Sequence, residues 1–201
     1  LTGWRGLPVR PRLILFTKAP VIGGAKSRLA AGIGKVPAWR IYRSMLARLT
    51  RRLRDPRWDL VLAAAPDRAL ARRFPCAWPA DLPCLAQGGG DLGARQARVL
   101  ARRGPTVVIG SDAPQVTRAD IAAAFKALKA HDAVIGPAQD GGYWLLGLNA
   151  PAPAGLFDGV RWSHAETRSD LKARMAALGL TRVAHLRTLR DVDEAGDLKS
   201  N

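Results

Sequence analysis

Apolar and polar positions along the chain follow two alternating rhythms. Short apolar, largely β-branched runs predict strands at Leu13–Thr17, Leu60–Ala65, Thr106–Ile109 and Ala133–Ile135. Between them, apolar residues recur at helical spacing and predict helices over Ala38–Leu53, Ala69–Phe74, Leu92–Ala101 and Arg118–Ala130. The last has a clear start, because Thr117 followed by Asp120 can satisfy open backbone N–H groups as a capping box does. Strand and helix in alternation is the pattern of a mainly parallel sheet covered by helices. After Pro137 the rhythm changes. The apolar run Tyr143–Leu148 follows the turn Asp140-Gly141-Gly142 with no helix between, which predicts an antiparallel excursion and hence a mixed sheet. A helix over Glu166–Leu178, a strand near Val183–Leu186 and a short polar element at Asp191–Leu198 complete the chain, and Ala150–Gly155 reads as a loop. The expected architecture is one α/β domain over residues 12–201. Residues 1–11 form an irregular segment with no structural role.

Composition narrows this picture without changing it. With 201 residues, 48% hydrophobic and 24% charged, the chain is long enough for one sizeable core. No run approaches the roughly 18 apolar residues of a membrane helix, and Leu13–Phe16 is too short for a secretory core, so the expected compartment is cytoplasmic. Cys76 and Cys84 have no His pair nearby to complete a zinc pattern and read as free thiols. A formal net charge of +16 attracts anions, from nucleotides to nucleic acids. Much of that excess lies along amphipathic segments, as at Arg40, Arg43, Arg48, Arg51, Arg52 and Arg54, where a solvated helix face accounts for it. A nucleic-acid-binding module stays as the alternative of another class, weakened by the scarcity of Tyr and Phe for a stacking surface.

Five clusters carry candidate chemistry. Thr17, Lys18, Ala19 and Pro20 lead from the first strand into a loop containing Gly23, Lys26, Ser27 and Arg28. That is the end of an open α/β sheet where ligands bind, and a glycine loop lets backbone N–H groups approach phosphate. The spacing is neither that of a Walker A loop nor that of a dinucleotide fingerprint. Asp112, in Gly110-Ser111-Asp112-Ala113-Pro114, stands at the end of another strand, where one carboxylate with phosphate oxygens and waters suits magnesium. Asp140, Gly141, Gly142 and Tyr143 combine an acid, permissive backbone and an aromatic at a third junction, a reading compatible with a tight turn. The acids at Asp191 and Asp193 either return to the metal or mark a helix start. The loop Gly88-Gly89-Gly90 with Arg95 precedes a helix and approaches a base or forms a flexible turn; His131 and His185 read as structural.

Taken in order, the words Thr-Lys-Ala-Pro-x-x-Gly-x-x-Lys-x-Arg-Leu (17–29), Gly-Ser-Asp-x-Pro (110–114), Pro-Ala-x-Asp-Gly-Gly-Tyr (137–143), Trp-Ser (162–163) and Asp-Val-Asp-x-x-x-Asp-Leu (191–198) carry a resemblance. The chain resembles glycosyltransferase-A-like proteins of the nucleotide-diphospho-sugar transferase superfamily, which are related to phospholactate guanylyltransferases and include glycosyltransferases of arsenosugar biosynthesis. The resemblance implies a Rossmann-like, mixed sheet of the glycosyltransferase-A type that binds a nucleotide or nucleotide-sugar with a divalent cation, magnesium or manganese. It implies phosphate contacts from Lys26 and Arg28, a metal on Asp112 with Asp191 or Asp193, and Gly88, Gly89 and Arg95 near the base. Asp140, Gly141, Gly142, Tyr143, Trp162 and Ser163 would face the sugar or a small-molecule acceptor, with Asp112, Lys26 and Asp140 carrying the reaction. The sequence departs where relatives read Trp-Ser-Thr, having His164 in third place. Transfer of a sugar and transfer of a nucleotidyl group both remain open, since one loop and one cation serve either.

Overall fold

The computed structural model describes residues 10–72 and 74–190. Seven strands form one sheet: β1 (Arg12–Lys18), β2 (Asp59–Ala65), β3 (Cys84–Ala86), β4 (Thr106–Gly110), β5 (Ala133–Pro137), β6 (Tyr143–Leu148) and β7 (Val183–His185). Their order across the sheet is β3-β2-β1-β4-β6-β5-β7, and only β6 runs antiparallel to its neighbours. The expected mixed, mainly parallel sheet and its antiparallel excursion are therefore present. Among the described residues, five helices accompany it: α1 (Ser27–Ile33), α2 (Lys35–Arg52), α3 (Leu92–Leu100), α4 (Arg118–Ala127) and α5 (Thr167–Ala177).

Alternation along the central strands decides which helix covers which face. Leu13 and Leu15 of β1 with Val107 and Ile109 of β4 pack among Tyr42, Leu46 and Leu49 of α2 and Ile121 and Ala124 of α4. Their alternates, Ile14 and Val108, join Val99 and Leu100 of α3 and Leu171 and Met175 of α5 in a second cluster. Both faces are buried, which is why β1 and β4 read as continuous apolar runs rather than alternating ones.

Two connections differ from the sequence expectation. The segment expected as a helix over Ala69–Phe74 is a 3-10 turn at Asp67–Ala71, started by Pro66, followed by Pro75 and burying only Ala69. A helix was not expected at α1. It has no side-chain cap and buries only Leu29, so it lacks the apolar stripe by which α2 is recognised. The Thr117 capping box on α4 is formed, with Asp120 N–H donating to Thr117 Oγ1 and Thr117 N–H to Asp120.

The topology fixes where a ligand can sit. From β1 the chain winds to β2 on one side, whereas β4 lies on the other. The carboxyl ends of β1 and β4 thus flank the switch point at which open α/β sheets form their binding crevice.

Candidate active site

At this switch point the loop after β1 meets the loop after β4. Lys26 adopts left-handed backbone geometry, with φ of 56°, at the start of α1. Its ammonium lies 2.6 Å from Asp112 Oδ1; the lysine side chain is almost buried, while that of Asp112 is 48% exposed. Two residues expected to share a site are thus in direct contact, and Asp112 keeps an open side toward solvent.

Beneath this pair is a scaffold centred on Tyr42, which sequence reasoning missed. Its hydroxyl accepts from Lys18 N–H at 3.0 Å and lies 2.9 Å from Thr17 Oγ1 and 3.4 Å from Ser111 Oγ. One phenol therefore pins the end of β1 to the residue before Asp112. Burial pushes its pKa up, against the hydroxyls of Ser111 and Thr17, which favour ionisation. Thr17 is held inside this network, and the side chains of Ala19 and Pro20 are buried; none of the three lines either cleft. Gln87, also missed, is buried and donates to the carbonyls of Thr17 and Ala63, at 3.1 and 2.7 Å.

Two clefts involve these loops: one is lined by Lys18 and Gly24 of the loop after β1 and the other by Asp112, while Lys26 lines neither. The first, about 470 Å³, is lined by Lys18, Gly24, Asp67, Gly88, Gly89 and Arg95, with the Ala65-Pro66 backbone. Four residues expected near the nucleotide meet here, joined by Asp67, whose carboxylate accepts from Gly88 N–H at 3.0 Å. Arg95 Nε donates to Gly90 O at 2.9 Å, and Arg98 donates to the carbonyls of Gln87 and Gly89, so two guanidinium groups fold the glycine loop. Asp91 caps α3 through Ala94 N–H at 2.8 Å. Gly23, Ser27 and Arg28 are exposed on the rim, outside the lining of either cleft.

The second cleft, about 310 Å³, is lined by Asp140, Gly142, Tyr143, Trp162 and Ser163 of the expected acceptor group, without Gly141, and by Asp112, His164 and Gln96. Asp140 Oδ1 accepts from Gly142 N–H at 2.8 Å, closing the turn before β6. Gly141, at φ of +89°, is packed so closely that a Cβ there would lie 2.0 Å from Ala165 O. Its carbonyl accepts from Arg168 N–H at 3.0 Å, tying the turn to α5. Tyr143 donates to Gln96 Oε1 at 2.9 Å, and burial raises its pKa far above the ordinary phenol value. Trp162 lies over Phe157 and against Gly93, where a side chain on α3 would strike it. His131 Nδ1 lies 2.9 Å from Ala127 O, as suits a structural residue. Cys76 and Cys84 are free and exposed.

Asp191 and Asp193 lie outside the described residues. Among the described residues, no group of three His, Cys, Asp or Glu side chains is arranged to hold a metal ion. Asp112 offers a half-exposed carboxylate to the second cleft, beside Lys26. That donor set fits a magnesium-like cation only when ligand phosphate oxygens and waters complete its shell, which is how this ion is commonly bound.

Comparison with known proteins agrees with this geometry. A family model described as "Uncharacterized protein conserved in bacteria (DUF2064)" matches residues 48–164. A candidate nucleotide-diphospho-sugar transferase from Desulfovibrio desulfuricans G20 superposes with a TM-score of 0.82 at 29% identity, over 94% of this chain and 84% of that one. The fold is also shared with a CMP:2-keto-3-deoxy-manno-octonic acid synthetase complexed with CTP, at a TM-score of 0.60 and 10% identity, covering 96% of each chain. The Mycobacterium tuberculosis H37Rv protein Rv0371c, in complex with manganese, gives a TM-score of 0.52 at 16% identity, over 96% of this chain and 97% of that one. No curated protein matches the sequence.

Proposed function

From the premise that the chain belongs to the DUF2064 family, we propose that it is a cation-assisted transferase that takes a nucleotide-activated donor and passes a sugar to a small-molecule acceptor. The observation that carries this reading is the Lys26–Asp112 contact between the loops after β1 and β4, with one cleft lined by Lys18 and Gly24 of the first loop and another lined by Asp112 of the second. The first cleft has the chemistry of a nucleotide site: permissive glycine backbone for close approach, with Lys18 and Arg95 to match phosphate charge. The second has the chemistry of an acceptor site, with an accessible carboxylate at Asp140 and aromatic walls.

In this scheme the donor's diphosphate lies against the loop 18–26, and its sugar points past Asp112 into the second cleft. The acceptor oxygen bonds to the anomeric carbon as the bond from that carbon to the diphosphate oxygen breaks, its electron pair leaving with the nucleoside diphosphate. Asp140 takes the hydroxyl proton on the carboxylate oxygen not held by Gly142. Lys26 shifts between Asp112 and the leaving phosphate, countering negative charge as it develops. A divalent cation on Asp112, when bound, supplies further charge to the leaving group. Holding the two substrates side by side provides the remaining advantage.

A second reading is supported by the shared fold with the synthetase complexed with CTP. There the acceptor oxygen attacks the α-phosphorus of a nucleoside triphosphate, and pyrophosphate leaves. Incubation with sugar nucleotides and with nucleoside triphosphates, each with manganese, separates the two by product mass. Nucleoside diphosphate with a glycosylated product supports sugar transfer; pyrophosphate with a nucleotidylated product replaces it by the second reading.

A further inference from the structure

The second cleft differs in charge from the rest of the molecule. In a chain with 32 Lys and Arg residues, none lines it among the described residues, whereas the first cleft contains Lys18 and Arg95. The cations around it are committed. Lys26 holds Asp112, Arg161 holds Asp170 at 2.8 Å, and Arg168 donates to the carbonyls of Ala138 and Gly142. What faces the space is two carboxylates, Asp112 and Asp140, among the aromatic surfaces of Phe16, Tyr143, Trp144 and Trp162.

The polar handles of that aromatic wall are also spent. Tyr143 donates to Gln96, and Trp144 Nε1–H donates to Arg187 O at 3.0 Å. Thr167 donates to the carbonyls of Arg161 and His164. His164 accepts Glu166 N–H on Nδ1 at 3.1 Å, which leaves the proton of the neutral ring on Nε2 as a donor. A ligand here therefore meets carboxylate acceptors, the His164 imidazole, the polar side chains of Ser163 and Gln96, and flat apolar surface; the Lys26 charge is taken up by Asp112, and no Lys or Arg in the lining stands beside Asp140 to match an anion. Phosphate or carboxylate on that ligand would stand beside Asp140 uncompensated, an arrangement that interfaces disfavour strongly.

We infer that the second cleft selects an uncharged polyhydroxyl acceptor, a ring or short polyol whose C–H face lies on Trp162 and whose hydroxyls donate to Asp140 and accept from His164, and that it rejects phosphorylated acceptors. The inference rests on the transferase reading for the identity of the donor cleft, but it concerns only the other cleft.

Saturation-transfer NMR on the full chain tests it, with methyl glucoside, methyl mannoside, methyl galactoside and inositol as probes, each beside its monophosphate. Signal is expected from at least one neutral probe, with its phosphate ester weaker by at least about tenfold, and that signal is lost in Trp162→Ala. Should Trp162→Ala fail to fold, Leu92→Arg provides the second check, because Leu92 lines the cleft and is exposed. This variant is expected to gain binding of the phosphate ester. Binding of a phosphate ester to the wild-type chain as tightly as its neutral partner overturns the inference, as does silence from every neutral probe. A thermal shift with nucleotide and manganese on the same sample separates the two claims: its presence beside a failed panel leaves the transferase reading standing, and its absence removes both.

Discussion

Tyr42 shows how much of the site depends on a residue that makes no contact with a ligand in the scheme above. Its hydroxyl takes Lys18 N–H and joins Thr17 and Ser111, setting the path of the two loops that carry Lys26 and Asp112. Tyr42→Phe leaves these groups buried without their partner, and urea unfolding is expected to show a loss of about 1–3 kcal/mol. Asp112 acts through its partner. Its own side chain is half exposed, but Asp112→Ala takes the carboxylate away from the nearly buried Lys26 ammonium, so the chain is expected to stay folded with a loss of about 1–3 kcal/mol in the same experiment. The positions of Asp112 and Asp140 after apolar strands were legible, since a carboxylate there marks where the chain leaves the sheet, whether it forms a turn, as Asp140 does, or faces a cleft. Tyr42 and Gln87 were not. A Tyr in an amphipathic helix looks like ordinary core, and the convergence of their hydrogen bonds is visible only when distant strands lie side by side.

Among the elements, the turn joining β5 to β6 is the most constrained. Gly141 has a left-handed φ, and a Cβ would meet the backbone at Ala165 rather than a movable side chain. Gly141→Ala is expected to cost at least about 1–3 kcal/mol in chemical denaturation and to displace Asp140, reducing turnover more than stability alone explains. Strands β1, β2, β4, β5 and β6 were legible from buried apolar runs, and α2 and α4 from their periodicity. The missed elements share a cause. β3 is a three-residue edge strand, Cys84–Ala86, too short to show a period, and α1 buries one residue. The 3-10 turn replaced an expected helix because prolines bracket a segment with little to bury. The tail element at Asp191–Leu198, with its proposed metal carboxylates, lies outside the described residues.

At the scale of the whole molecule, an excess of 16 positive charges is held together partly by carboxylate clips. Hydrogen bonds from Arg57 and Arg161 hold Asp55 and Asp170 down to about 2. Arg182 lowers Asp132 in the same way, joining β5 to β7. Burial works against ionised Asp120, but hydrogen bonds from Arg187 and Thr117 outweigh it. Because these folded values lie below the unfolded value of about 3.9, their contribution is present above about pH 4 and is lost as pH falls toward 2. Protonation also raises the net positive charge, so a falling melting temperature is expected across that window, steepest at low salt, and calorimetry from pH 5 to 2 checks it. The central claim concerns the clefts at the end of β1 and β4, and binding to them stabilises the folded chain by mass action. Its most direct test is calorimetric titration of nucleoside diphosphates and nucleotide-sugars, with and without manganese, into the wild-type chain and Asp112→Ala. The account predicts manganese-dependent binding to wild type that Asp112→Ala abolishes while remaining folded. Equal binding by both chains, or binding of none of these nucleotides by wild type, would contradict it.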